Sequence, residues 1–160
     1  MLSKFFKKRR LQIFAPVNGE VLPLEHVPDP VFSEKMMGEG IAIMPAEGSI
    51  HSPIAGTVIL VAETKHAIGI RSHDGTEILI HIGLETVSLK GKGFNVHVKM
   101  GDSVSVGQLL IDVDWGHVRD HAKSTITAIA ITNSGEREIH FEQVKESIMG
   151  ETVLMTAYPK

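Results

Sequence analysis

The stretch from Thr64 to Gly83, Thr64-Lys65-His66-Ala67-Ile68-Gly69-Ile70-Arg71-Ser72-His73-Asp74-Gly75-Thr76-Glu77-Ile78-Leu79-Ile80-His81-Ile82-Gly83, decides how the chain is read. Asp74-Gly75 lies between two apolar, alternating runs. This is the strongest short-range signal for a two-residue hairpin loop, whose central residues must both reach positive φ. The reading predicts a tight antiparallel hairpin flanked by Ser72 and Thr76, with His73 opposite Thr76. Ile68 then faces His81, and His66 faces Gly83. Side chains alternate along a strand, so His66 and His81 project from one face as diagonal neighbours, with Cβ atoms within about 7–8 Å. A slip of one residue would send them to opposite faces, so the inference rests on the turn type.

Outward from this hairpin, Pro and Gly turns separate further strands. Ala15-Pro16-Val17-Asn18-Gly19-Glu20-Val21 and Ser52-Pro53-Ile54-Ala55-Gly56-Thr57-Val58 form a weak internal repeat, each setting a turn before a strand start. Val98 to Ile111, with Gly101 and Gly107, looks like the glycine-turned hairpin of barrel-sandwich hybrid folds, which include biotinyl and lipoyl carriers. A short helix is predicted over Trp115–Lys123 with Asp114 as N-cap, and a strand over Thr125–Thr132. The apolar residues are mainly Ile, Val, Leu and Ala, and 15 Gly and 7 Pro punctuate them. That composition favours strands and turns over long helices. The expectation is one all-β domain over residues 14–160, an antiparallel β-sandwich with at most one or two short helices.

The chain has no cysteine, which excludes disulfides, thiol nucleophiles and iron–sulfur clusters and fits a reducing compartment. No run approaches the ~18 consecutive apolar residues of a membrane span. Lys4, Lys7, Lys8, Arg9 and Arg10 precede the first acid, Glu20. Without those five, 11 basic residues stand against 19 acids, a body of about −8 that argues against a nucleic-acid surface. Residues 1–13 combine the basic cluster with Leu2, Phe5, Phe6 and Leu11, either a disordered tail or an amphipathic helix making weak contact with an anionic membrane. The residues after Arg10 do not form the apolar core of a signal peptide.

A neutral imidazole can be a nucleophile, a general base or a metal ligand, depending on what holds its other nitrogen. His81 could donate its Nδ1 proton to the Gly83 carbonyl, leaving Nε2 free to attack phosphorus. His66 could then donate to phosphoryl oxygens, oriented by the Thr64 hydroxyl. The alternative is a pair of ordinary half-buried strand histidines, and residue geometry alone leaves both open.

Five ordered blocks add to this: Val31 to Ile43 (with Phe32-Ser33-Glu34-Lys35-Met36-Met37-Gly38-Glu39-Gly40), Ser52 to Val58, Thr64-Lys65-His66-Ala67, His81-Ile82-Gly83-Leu84-Glu85-Thr86-Val87, and Leu89-Lys90-Gly91-Lys92-Gly93-Phe94. Together they closely resemble the glucose-type enzyme IIA family (PTS EIIA type-1) of the bacterial phosphoenolpyruvate:sugar phosphotransferase system, over about Ala15 to Ala157. The resemblance implies a β-sandwich, a barrel-sandwich hybrid with a duplicated hybrid motif. It also implies a cytoplasmic phosphotransferase component that takes a phosphoryl group from phospho-HPr. The group passes on to the IIB domain of a IIBC sugar permease, coupling phosphorylation to sugar uptake. By motif, His81 matches the phosphorylated histidine, His66 its partner and Thr64 the hydroxyl beside it. Phe32, Met36 and Val87 match an apolar docking rim, flanked by Asp29 and Glu85. No cofactor is required; the resemblance suggests that His66 and His81 lend two ligands to a zinc shared with a partner.

Two other classes rank below this one. A biotinyl or lipoyl carrier needs an acceptor lysine on an exposed turn, but Leu110-Ile111 leads into Asp112-Val113-Asp114-Trp115. A zinc peptidase needs a third protein ligand, and no His-x-His is present. Which sugar is carried is not legible, because specificity would lie in the permease domains.

Overall fold

The computed structural model describes residues 10–160. Among them are fourteen strands: β1 (Leu11–Phe14), β2 (Asn18–Pro23), β3 (Glu39–Glu47), β4 (Ile50–His51), β5 (Gly56–Val61), β6 (Ala67–Arg71), β7 (Glu77–His81), β8 (Phe94–Val96), β9 (Ser103–Val104), β10 (Leu109–Val113), β11 (Thr127–Ile131), β12 (Arg137–Phe141), β13 (Glu146–Ser147) and β14 (Val153–Pro159). The helices are α1 (Pro30–Ser33) and α2 (Trp115–His121). The strands form an eight-stranded sheet, β13-β2-β3-β11-β7-β6-β5-β9, and two of three strands, β1-β14-β12 and β4-β10-β8. Every strand pair is antiparallel.

One face of the large sheet is a floor of isoleucines. Ile68, Ile80, Ile129 and Ile41 stand abreast across β6, β7, β11 and β3. With Ile70, Ile78 and Ile131 they pack against Ile13 and Met155 of one small sheet and Leu110 and Ile111 of the other. Burying each such side chain contributes about 1.5–3 kcal/mol, and this shared layer holds the sandwich together.

The internal repeat is realised as a reciprocal pairing. Phe14 N–H donates to the Pro53 carbonyl (3.0 Å) and His51 N–H to Pro16 (2.8 Å). Ala15 N–H donates to Thr152, just as Ser52 N–H donates to Gln108. Each copy thus supplies the backbone partners of the other, which a single copy could not do.

Three expectations are corrected. First, the 64–83 hairpin has Ala67 opposite His81 and Ile68 opposite Ile80, one residue away from the predicted pairing. Ser72 N–H donates to Thr76 O (2.9 Å) and Gly75 N–H to Ser72 O (3.1 Å), so His73-Asp74-Gly75 is a three-residue loop. Gly75 alone of these has positive φ (+90°). Asp74 instead stays out of the positive-φ region and turns its carboxylate onto the loop, accepting from Thr76 N–H (2.9 Å) and the Ser72 hydroxyl. Second, Val98 to Ile111 is no hairpin: β9 pairs with β5 of the large sheet, and β10 with β4 and β8. The turn at Ser105–Gln108 carries the chain from one sheet to another. Third, residues 11–13 belong to the domain, not to a terminal segment. Leu11 pairs with Ala157 in β1, and Ile13 is fully buried. The rest of the expected membrane-contact segment, residues 1–9, lies outside the described residues. Helix α2 is found with Asp114 capping it, its carboxylate accepting from His117 N–H (3.1 Å).

Candidate functional site

The face of the large sheet opposite the isoleucines is paved with small residues. Ala67, His81, Ala128 and Ala42 stand in register across β6, β7, β11 and β3, and the next row holds Gly69, Leu79, Ala130 and Gly40. His81 is therefore a long side chain with alanines beside it, over a floor that leaves room above. The strap before β3 fills that room. Leu24, Val27 and Phe32 pack with Leu84, Ile126, Ala42 and Ala128 as a second buried cluster. The Phe32 ring, 3% exposed, lies with its centroid 4.9 Å from that of His81, tilted by 55°.

His66 reaches His81 by leaving the strand. Were β6 to continue straight, the corrected register would turn His66 toward the isoleucine floor with Ile68. Instead Lys65 takes φ +64°, closing a turn in which its N–H donates to Ala62 O (2.8 Å). The His66 carbonyl still accepts from Ile82 N–H (2.8 Å). Its ring meets His81 edge-on, with centroids 4.9 Å apart and planes at 79°. Thr64 Oγ1 lies 2.8 Å from His66 Nδ1. The left-handed residues Lys65 and Glu85 bracket the site in sequence, and such backbone strain gathers at functional positions.

At His81, Nδ1 lies 2.9 Å from the Gly83 carbonyl oxygen, so this nitrogen carries the proton and Nε2 keeps its lone pair. Gly83 has φ +72°, and a Cβ there would meet Ser124 O and Thr86 Cγ2, each at 2.7 Å. Thr86 in turn donates its hydroxyl to Ile82 O (2.7 Å), bracing the same loop. Burial, and after it the nearby His66, push the His81 pKa down to about 4, opposed by the bond to Gly83 and the charge of Asp29. Burial also lowers that of His66, opposed by a hydrogen bond to the Thr64 backbone. Burial thus favours the neutral form of both imidazoles. The arrangement can present one nucleophilic nitrogen, with a second imidazole beside it.

Of the remaining expected residues, two act on this pair directly, Phe32 through its ring and Asp29 through its charge on His81. Met36 is 70% and Val87 59% exposed, whereas Phe32 is buried against His81. Asp29 caps α1, accepting from Val31 N–H (3.0 Å), and Glu85 is exposed at φ +56°. Reasoning from the chain did not find the contact between Phe32 and His81 or the alanine row, because both depend on pairings distant in sequence. A cavity of about 360 Å³ between β2, β3 and residues 141–145 includes neither histidine in its lining. Its size alone assigns it no chemistry. Among the described residues no group of three or more His, Asp or Glu is placed to hold a metal ion, and no helix is long and apolar enough to cross a membrane.

Residues 11–137 match the family model for "phosphoenolpyruvate-dependent sugar phosphotransferase system, EIIA 1". The glucose-specific EIIA component of Staphylococcus epidermidis is 48% identical over 158 residues, covering 95% of each chain. The glucose-specific EIICBA component of Staphylococcus carnosus is 50% identical over 143 residues, 89% of this chain but 21% of that longer one. Among solved structures, glucose permease IIA from Mycoplasma capricolum superposes with a TM-score of 0.88 at 36% identity, covering 95% of this chain and 97% of the other.

Proposed function

The chain belongs to the EIIA type 1 family of the phosphoenolpyruvate-dependent sugar phosphotransferase system, and from that membership we propose that it accepts a phosphoryl group on Nε2 of His81. The donor would be phospho-HPr, and the acceptor the IIB domain of a glucose-type permease. Fusion of the related sequence to C and B components in the Staphylococcus carnosus protein favours such an acceptor. The observation that carries the reading is the His81 Nδ1 to Gly83 carbonyl bond of 2.9 Å, which dedicates Nε2 to attack.

In the forward step the Nε2 lone pair bonds phosphorus while the bond from phosphorus to the donor's imidazole breaks, its electron pair staying with the donor. The Nδ1 proton remains on His81, and the Gly83 carbonyl dipole offsets the positive charge that attack places on the ring. In the second step a nucleophile of the acceptor attacks phosphorus, and the electron pair of the P–N bond returns to Nε2. A Thr64 hydroxyl donating to His66 Nδ1 leaves the His66 proton on Nε2, able to donate to the phosphoryl oxygens. Neither step needs a cofactor. The paired imidazoles are a donor set suited to zinc, and His81 already has the Nδ1-to-carbonyl bond that orients such ligands. The chain supplies two ligands, so a zinc would be shared with a partner.

The phosphoryl group adds about −1.5 to −2 of charge to an acidic body and favours a basic partner surface. Localisation in the cytoplasm follows from the same proposal, since donor and acceptor domains would meet the chain there. The test is incubation with enzyme I, HPr and labelled phosphoenolpyruvate. The expected label is acid-labile and base-stable, is absent from His81→Ala, and loads but discharges slowly in His66→Gln. Labelling that survives in His81→Ala and disappears in His66→Ala would reverse the two roles.

A further inference from the structure

We propose that Phe32 is a positioning residue for His81, acting on the imidazole from within the fold rather than as an exposed docking contact. The proposal rests on the reading of His81 as the phosphoryl acceptor. At 3% exposure Phe32 has almost no surface to offer a partner, while its ring is 4.9 Å from that of His81. The neighbours of His81 along the sheet, Ala67 and Ala128, are too short to restrain an imidazole. The restraint therefore comes from above, from Phe32 and from His66.

The segment that carries Phe32 is itself held. Asp29 caps its start through Val31 N–H, and Glu34 N–H donates to Pro30 O (3.0 Å). Just beyond, Lys35 pairs with Glu39 (3.2 Å) and reaches Glu25 (3.8 Å). The exposed Val31 and Met36 flank Phe32 on this strap, so a partner seated on them bears on the element that covers His81. Phe32 excludes water from one side of the ring and limits its rotation, which keeps Nδ1 on the Gly83 carbonyl. The titratable groups facing His81 are His66, which disfavours its charged form, and Asp29, which favours it. Burial acts with His66 and outweighs Asp29, and Phe32 supplies burial without adding charge.

The test uses the full chain with Phe32→Ala and Phe32→Leu, reading the His81 ring resonances through a pH titration and the transfer from phospho-HPr as kcat and KM. For Phe32→Ala the His81 pKa is expected to rise by about one unit or more, because water reaches the ring. Its kcat is expected to fall about tenfold or more with KM little changed, because the nucleophile is less well held. Phe32→Leu, which keeps most of the apolar volume, moves both readouts the same way by less, and it decides the matter if the alanine variant does not fold. A raised KM with the His81 titration and kcat unchanged would overturn the proposal and return Phe32 to docking. If the wild-type chain takes no label on His81, the phosphocarrier reading fails, and the titration still reports whether Phe32 positions the ring.

Discussion

Gly83 shows at a single residue how the backbone can set the state of a side chain. Its positive φ aims the carbonyl at His81 Nδ1, and any Cβ would strike Ser124 O and Thr86 Cγ2. Gly83→Ala is expected to cost about 2 kcal/mol or more, since left-handed backbone alone costs roughly 1–2 kcal/mol for a residue with a Cβ. It should also release Nδ1, so nitrogen NMR of the His81 ring should show a mixture of tautomers. A single Nδ1–H tautomer in the variant would show that the carbonyl is not what holds the proton.

The same residue scale predicts a pH dependence. His81 has a folded pKa near 4, below the ordinary histidine value, so the unfolded chain binds its proton first as the pH falls. The stability tied to neutral His81 is complete above about pH 6.5 and is lost as the pH falls toward 4. Between pH 7 and 4.5 the loss attributable to His81 is about 2–3 kcal/mol. Urea unfolding of the wild type and His81→Gln at both pH values measures it as the difference between their slopes. Parallel losses in the two proteins would mean that His81 is not the group responsible.

At the scale of elements, the bend before β6 carries the site. Lys65 holds it in a left-handed conformation, and the bend takes His66 away from the isoleucine face. Lys65→Gly removes the steric cost but loosens the unfolded chain, for a net gain of a few tenths of a kcal/mol up to about 1 kcal/mol. Lys65→Val is expected to lose about 1 kcal/mol or more, because a β-branched residue tolerates positive φ poorly. Thermal melts rank the three. If phosphate discharge depends on the bend, the valine variant loads label normally and releases it slowly, resembling His66→Gln. Unchanged discharge would separate the bend from the role of His66.

At the scale of the molecule, the reciprocal repeat, the shared isoleucine layer and the pairing of β1 with β14 tie residues 11–159 into one fold. Leu11 to Phe14 close the β1-β14-β12 sheet, so a truncation meant to probe the basic residues before them must spare β1. A chain starting at Arg10 is expected to melt with the full chain, whereas Ile13→Ala loses about 2–5 kcal/mol through a cavity in the core. Attachment to anionic vesicles, at up to roughly 1 kcal/mol per lysine or arginine, is expected for the full chain only and should fade with salt. Sedimentation of both chains with anionic and neutral vesicles checks this. Equal binding by the two would leave residues 1–9 without a part in it.

The sequence by itself determined the local chemistry. Alternation marked β6, β7 and β11, Asp114 announced α2, and the two-residue step from His81 to Gly83 placed a carbonyl within reach of Nδ1. These depend on neighbours a few positions away, which period-two alternation and capping rules describe. The repeat between Ala15–Val21 and Ser52–Val58 was visible too, though not that each copy pairs with the other. Only the tertiary structure decided the register of the hairpin, the path by which His66 meets His81, the burial of Phe32 and the sheet change at Ser105–Gln108. Alternation says which residues share a face but is blind to which residues stand opposite each other. That choice was supported by residues far along the chain: Ile129 of β11 lies against Ile80, and Asn133 and Arg137 donate to the Gly75 and Asp74 carbonyls of the loop, contacts that exist only once the chain has folded.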